Sequence, residues 1–225
     1  MTIIEPLRRD INPPHPIKKY SAPLRLWHWA NTIVISGSLI TVLINSTITD
    51  DQATSSLMKD EFQKAGASVT ADQARSVAHA LSDSVWDVHK YFGYCLAGLL
   101  LFRLLLEFFQ MADQKFIRKL KSAWLQFKIT KKNRVVVRHE LAVKSIYAIF
   151  YTLLIFQVIT GLFLAFEDAM APFKSIRPTV RSLHGFNMYL ILGFIIVHLA
   201  GVFLAERKDS KGIVSDMING GREAS

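Results

Sequence analysis

The sequence predicts an all-α integral membrane protein, a four-helix bundle with a short extracytoplasmic helix in its first outer loop. Hydrophobic residues make up 51% of the 225 residues, and yet the formal net charge is +9, so apolar and charged residues must be segregated along the chain. Four apolar runs approach the roughly 20 residues that a helix needs to cross a bilayer. These predicted spans are residues 26–44, 86–109, 141–166 and 184–204.

The first run follows a polar arm, residues 1–25, that contains the segment RRDINPPHPIKK. No small-residue cleavage site follows the run, and the run itself contains a histidine. We therefore interpret residues 26–44 as a membrane span and not as a signal peptide.

The loop before the second span, residues 45–85, is long and has more acidic than basic residues. Within it, TADQARSVAHALSDSV has the apolar spacing of a helix. Thr70 and Gln73 are placed as a capping box at its start. A short helix on the outer face is expected here.

Lysine and arginine predict the orientation of the spans. The arm 1–25 has five, the loop 110–140 has nine and the tail 205–225 has four, against three each in 45–85 and 167–183. Both termini and the basic loop are therefore expected in the cytoplasm. Because two spans flank the basic loop, we interpret its mixture of cations and aromatics as a surface for anionic lipid and not for nucleic acid. We expect residues 1–225 to form one membrane domain.

Two histidines in the fourth run are the most informative feature. His184 and His198 are fourteen residues apart, which is two heptads, so in a bundle both imidazoles face the interior from one side of the helix. At about 1.5 Å per residue they are about 21 Å apart along the axis. One histidine is therefore expected near each surface of the bilayer.

A partner is available at each level. His28 begins the first span at the cytoplasmic level of His198, and His89 begins the second span at the outer level of His184. Two facing histidines ligate a haem iron axially and leave no open position for oxygen or substrate, which is typical of electron transfer. With one cysteine and no C-x-x-C-H motif, both haems would be b-type, held without a thioether bond.

Two arginines are candidates for binding the haem propionates. Arg103 follows His89 by fourteen residues, as His198 follows His184, and should face inward at the cytoplasmic level. A guanidinium at that depth requires an anion. Arg25, three residues before His28, is a second candidate, although its side chain could equally extend to the lipid headgroups.

The segments RLWHW and RSLH, the later F-x-x-x-H, and His89 with Arg103 together resemble the bacterial cytochrome b561 and nickel-iron hydrogenase b-type cytochrome family. The resemblance covers all four spans. It implies a protein of the bacterial inner membrane in which His28, His89, His184 and His198 ligate two haems. It also implies electron transfer between an extracytoplasmic iron-sulfur or haem subunit and the quinone pool.

In the related membrane anchors of respiratory dehydrogenases, the quinone binds near the cytoplasmic haem. His139, at the cytoplasmic start of the third span, is a candidate because imidazole titrates near neutral pH. Asn31 and Lys144 are further candidates.

Two alternative functions remain open from the sequence. The first is a self-contained quinone oxidoreductase that reacts directly with a small redox substrate such as superoxide; activity of the isolated chain would favour it. The second is a proton or metal transporter, which would need histidines along one polar pathway with acidic residues around them. The spans contain few acids, and the histidines fall into two levels.

Overall fold

The computed structural model describes residues 21–49, 51–109, 124–125, 134–208 and 212–220. The regular secondary structure of these residues is helical. The side chains of residues 51, 107–109, 134–144 and 208 are not among those described. The helices are α1 Ala22–Thr47, α2 Asp51–Lys64, α3 Ala71–Phe109, α4 Arg134–Ala165, α5 Arg177–Lys208 and α6 Ile213–Asn219, with a 3₁₀ turn, Ala171–Ile176, before α5.

Four helices, α1, α3, α4 and α5, are long and apolar enough to cross a membrane. This confirms the predicted all-α fold class. Between 6% and 17% of the residues in the most apolar window of each span are buried within the chain, so most of that surface is left for lipid. The predicted lipid-binding loop 110–140 lies outside the described residues, except for 124–125 and the backbone of 134–140.

The chain forms two compact units. The central unit is Trp29–Ile196, and the described residues of the terminal unit are 21–28, 197–208 and 212–220. His89 and His184 belong to the central unit, and His28 and His198 to the terminal unit.

Polar contacts attach the C-terminal end of α1 to α3 in the central unit. Ser82 on α3 donates to the Asn45 side-chain oxygen over 3.2 Å, and Thr49 donates to the same atom. The Thr54 hydroxyl on α2 donates to the Ile48 carbonyl over 2.8 Å. The carbonyls and hydroxyls at this helix end are thereby satisfied without a long ordered loop.

Helix α3 has 39 residues and is about 58 Å long, well beyond the roughly 30 Å of a hydrocarbon core. The expected capping box is present, since the Thr70 N–H donates to Gln73 and the Gln73 N–H donates to Thr70. The outer helix predicted over 70–85 is helical but continues without a break into the second span, because no glycine or proline occurs before Gly93.

Helix α2 is a separate short helix between the first two candidate spans. It packs against the first turns of α3, where Ala74 and Ala78 are 1% and 0% exposed. The turn between them requires Gly66, which has a φ of 78°. The Ala67 N–H donates to the Phe62 carbonyl over 2.9 Å in the manner of a Schellman motif.

A C-terminal helix in the terminal unit, α6, was not predicted. The Glu206 carboxylate accepts hydrogen bonds from the Gly212 and Ile213 N–H groups at 2.6 and 2.8 Å. An anion at a helix N-terminus is favourable because the first N–H groups have no intrahelical partner. Arg25 donates to the Ile218 carbonyl, which attaches α6 to α1.

Close contact between α1 and α3 depends on Gly37. A Cβ atom at this position would lie 2.4 Å from Cζ of Phe92. We expect Gly37→Ala to destabilise the chain by about 1–3 kcal/mol through overpacking, measured as a lower Tm in detergent. Phe92→Leu in the same chain should restore stability. The control is Gly98→Ala, since a Cβ at Gly98 meets nothing within 4 Å; equal Tm values for the two alanine variants would contradict the packing.

Candidate functional site

The structure brings His89 on α3 close to His184 on α5 in the central unit. Their ring centroids are 6.5 Å apart, and the ring planes are inclined at 84°. We call these two residues the outer pair, after the side of the membrane that the sequence predicts for them. Trp86, one turn before His89, contacts its imidazole edge to face at 5.3 Å between centroids.

The terminal unit contains the second pair of histidines. The ring centroids of His28 on α1 and His198 on α5 are 6.3 Å apart, with an angle of 58° between the planes. We call these residues the inner pair. The four histidines are thus grouped in space as the sequence predicts; that they ligate metal stays a prediction.

The spacing within both pairs fits axial ligation of one iron by two imidazoles. Two metal–nitrogen bonds of about 2.0–2.1 Å, with about 1.1 Å from each nitrogen to its ring centre, separate the two ring centres by about 6.3 Å. The observed separations are 6.3 and 6.5 Å. Among the described residues, no three His, Cys, Asp or Glu side chains form a cluster suited to a bare metal ion.

Two hydroxyl groups on α1 contact the Nδ1 atom of His89. Nδ1 of His89 is 2.9 Å from Oγ1 of Thr41 and 3.4 Å from Oγ of Ser38. Thr41 is 5% exposed. These contacts fix the rotation of the ring about its Cβ–Cγ bond and leave its Nε2 atom for a ligand.

Side chains on α4 hold His184 in a similar way. Nδ1 of His184 is 2.9 Å from Oγ1 of Thr160, and its Nε2 is 3.1 Å from the Gln157 amide nitrogen. Asn187, 3% exposed, donates to the Gln157 side-chain oxygen over 2.7 Å. Iron ligation at Nε2 therefore requires the Gln157 amide to move away from that nitrogen.

Gly161 provides the surface against which the His184 ring lies. A Cβ atom at Gly161 would be 3.1 Å from Cε1 of His184, the carbon between the two ring nitrogens. Any side chain here would push the imidazole, so glycine sets how closely α4 approaches the outer pair.

The two predicted propionate-binding arginines have partners within the chain. Arg25 donates from Nη1 to the Ile218 carbonyl, and its Nε is buried without a hydrogen-bond partner among the described residues. A buried guanidinium N–H one turn from His28 fits an anionic group. Arg103 donates from Nε to the Tyr151 hydroxyl over 3.0 Å, and its guanidinium carbon lies 5.8 Å from the centre of that ring.

The structure places one predicted quinone-site residue fully. Asn31 on α1 is buried, with 4% exposure. His139 and Lys144 are on α4, but their side chains lie outside the described residues.

Sequence reasoning missed the polar residues that contact the outer pair, which are Ser38, Thr41, Gln157 and Thr160. It also missed Asn187, which donates to Gln157. A signal existed, because amides and hydroxyls inside apolar runs need partners. Which histidine they contact depends on the rotation of neighbouring helices, which spacing along one helix does not reveal.

Comparison with known proteins gives a match over most of the chain. A family model described as prokaryotic cytochrome b561 matches residues 19–220. No curated protein and no solved structure matches the chain.

Proposed function

The chain belongs to the prokaryotic cytochrome b561 family and is a multi-pass membrane b-type cytochrome, and on that premise we propose that it carries two haems and passes electrons across the membrane between a redox partner and the quinone pool. The observation that supports this most strongly is the presence of two imidazole pairs, each at the spacing of two axial ligands. A haem held by these histidines would supply one-electron iron chemistry.

The four histidines would act as the iron ligands. His89 and His184 would hold the outer haem, and His28 and His198 the inner one. Because each pair joins two different helices, ligation also cross-links the bundle at two places.

The arginines would balance the charge of the haem propionates. Arg25 is the stronger of the two candidates for the inner site, since its buried Nε is one turn from His28 and has no hydrogen-bond partner among the described residues. Arg103 would act from α3, oriented by its bond to Tyr151. A charge-assisted bond of this type is worth about twice a neutral one.

The quinone would bind on the cytoplasmic side, where Asn31, His139 and Lys144 are the candidate hydrogen-bonding and proton-accepting residues. The family supports a location in the bacterial inner membrane. The distribution of lysine and arginine supports an orientation with both termini in the cytoplasm. The redox partner would be an extracytoplasmic iron-sulfur or haem subunit that exchanges electrons at the outer pair.

Reconstituted vesicles test this proposal. Purified protein is inserted into liposomes loaded with ferricyanide, which does not cross membranes, and a quinol is added to the lipid. We expect the trapped ferricyanide to be reduced by wild-type protein, and His28→Ala and His89→Ala each to lower the rate to that of protein-free vesicles. His79→Ala is the matched control, because His79 is exposed in the outer extension of α3. Wild-type rates in the His28 and His89 variants would refute transfer through two sites in series.

A further inference from the structure

Both imidazoles of the outer pair contact a buried threonine through the same ring nitrogen. The Nδ1–Oγ1 distance is 2.9 Å for His89 with Thr41 and 2.9 Å for His184 with Thr160. Each threonine is on a different helix from its histidine: Thr41 is on α1 and Thr160 is on α4. Thr41 and Thr160 are 5% and 7% exposed, so water does not compete for these contacts.

The backbone determines which group donates. The Thr41 hydroxyl donates to the Ser38 carbonyl over 2.6 Å, and the Thr160 hydroxyl donates to the Phe156 carbonyl over 2.7 Å. A hydroxyl has one hydrogen, and a carbonyl only accepts. The threonine oxygen therefore accepts from the histidine, and Nδ1 of each imidazole carries the proton.

The Gln157 amide gives the same result for His184 independently. The Gln157 oxygen accepts from Asn187 over 2.7 Å, which turns the amide nitrogen toward the histidine. That nitrogen donates to Nε2 of His184 over 3.1 Å. Nε2 therefore has a lone pair, and the proton is on Nδ1.

We propose that Thr41 and Thr160 are matched positioning residues for the outer haem: each holds its histidine with Nδ1 protonated, so that Nε2 carries the lone pair for the iron, fixes the ring plane, and lowers the reduction potential of that haem. At His184 the Gln157 amide, which donates to Nε2 in this structure, would give up that contact to the iron. The inference rests on the proposed haem ligation by the outer pair. An acceptor on Nδ1–H makes the imidazole a more basic ligand. A more basic ligand stabilises ferric over ferrous iron.

The test compares Thr41→Val and Thr160→Val, which remove the hydroxyl and keep the shape, with Thr41→Ser and Thr160→Ser, which keep the hydroxyl. Thr47→Val and Thr152→Val are the matched controls, since these exposed threonines donate to the carbonyl four residues earlier on the same two helices. The full-length haem protein is titrated optically for the potential of each haem. The ferric low-spin electron paramagnetic resonance spectrum reports the angle between the imidazole planes.

We expect each valine variant to raise the reduction potential of the outer haem. At a fixed solution potential, the ratio of oxidised to reduced outer haem should fall by about 3- to 10-fold. A tenfold change corresponds to 59 mV for one electron. The electron paramagnetic resonance signal of the ferric outer haem should broaden, because the imidazole plane is no longer fixed by the hydroxyl. The inner haem, both serine variants and both controls should match wild type. Loss of the outer haem in the valine variants with recovery in the serine variants would equally support the role of the hydroxyl.

An unchanged outer potential and spectrum in both valine variants, with two haems bound, would overturn the positioning role and leave the proposed function intact. Loss of the outer haem from the serine and valine variants alike would also overturn it, because packing would then be the cause. Wild-type protein without an outer haem would remove the proposed function itself, and the inference with it.

Discussion

Replacing His184 with alanine is expected to halve the haem content, from two b-type haems per chain to one. The iron of the outer haem would lose one of its two protein ligands, while the inner pair would keep both. His89→Ala should remove the same haem, and the double variant should lose no more than either single one, because both residues belong to one site. His28→Ala and His198→Ala should instead remove the other haem.

The measurement is haem per chain by the pyridine haemochrome method, with a redox titration to identify which haem remains. His79→Ala again serves as the control, since it removes a histidine from α3 outside either pair. Far-ultraviolet circular dichroism establishes that each variant is folded. The assignment of pairs would be wrong if His89→Ala and His28→Ala removed the same haem, or if His184→Ala kept both.

Replacing Gly161 with valine is expected to remove the outer haem without touching a ligand. The first side-chain atom would already lie 3.1 Å from Cε1 of His184, and the two methyl groups of valine would extend further toward the ring. Since a metal site tolerates displacements of only about 0.5 Å, the His184 nitrogen would no longer meet the iron. Haem content should fall from two to one, and the inner haem should titrate as in wild type.

The matched control is Gly98→Val, which places the same β-branched residue in a membrane helix where a Cβ meets nothing within 4 Å. Gly98 is also nine residues from His89, on the opposite face of α3. Gly161→Ala should show a weaker effect, because a single methyl group needs a shift of only a few tenths of an ångström. Retention of both haems in Gly161→Val would show that the ring does not depend on this contact.

The spans and the grouping of the histidines could be predicted because both depend on spacing along single helices. Apolar runs near bilayer length predict α1, α3, α4 and α5. His184 and His198 share one helix, so their fourteen-residue spacing alone places them on one face at two levels. The polarity of the flanking loops then assigns His28 to one level and His89 to the other.

The residues around the outer pair could not be predicted in this way. Thr41 and Thr160 are 48 and 24 positions from their histidines in the sequence and lie on different helices from them. Their contacts depend on helix rotation and on close approach at Gly37 and Gly161. The sequence of a span does not predict this rotation, because lipid and protein interior are both apolar and the amphipathic pattern is therefore weak.

Helices α2 and α6 were not predicted, for a different reason. Helix α2 has a polar sequence, DQATSSLMKDEFQK, without a clear apolar stripe, and it is held mainly by packing on α3 and by the turn at Gly66. Helix α6 has seven residues, too few to be stable alone, and depends on contacts with Glu206 and Arg25. Both helices are products of tertiary contacts.

One chain is expected to hold two b-type haems, each between two histidines. The most direct measurement is a reduced-minus-oxidised visible spectrum of the detergent-purified wild-type protein, with pyridine haemochrome quantitation of haem per chain. We expect two b-type haems per chain and no covalently bound haem. One haem or none, in protein shown to be folded and produced with adequate haem supply, would contradict it.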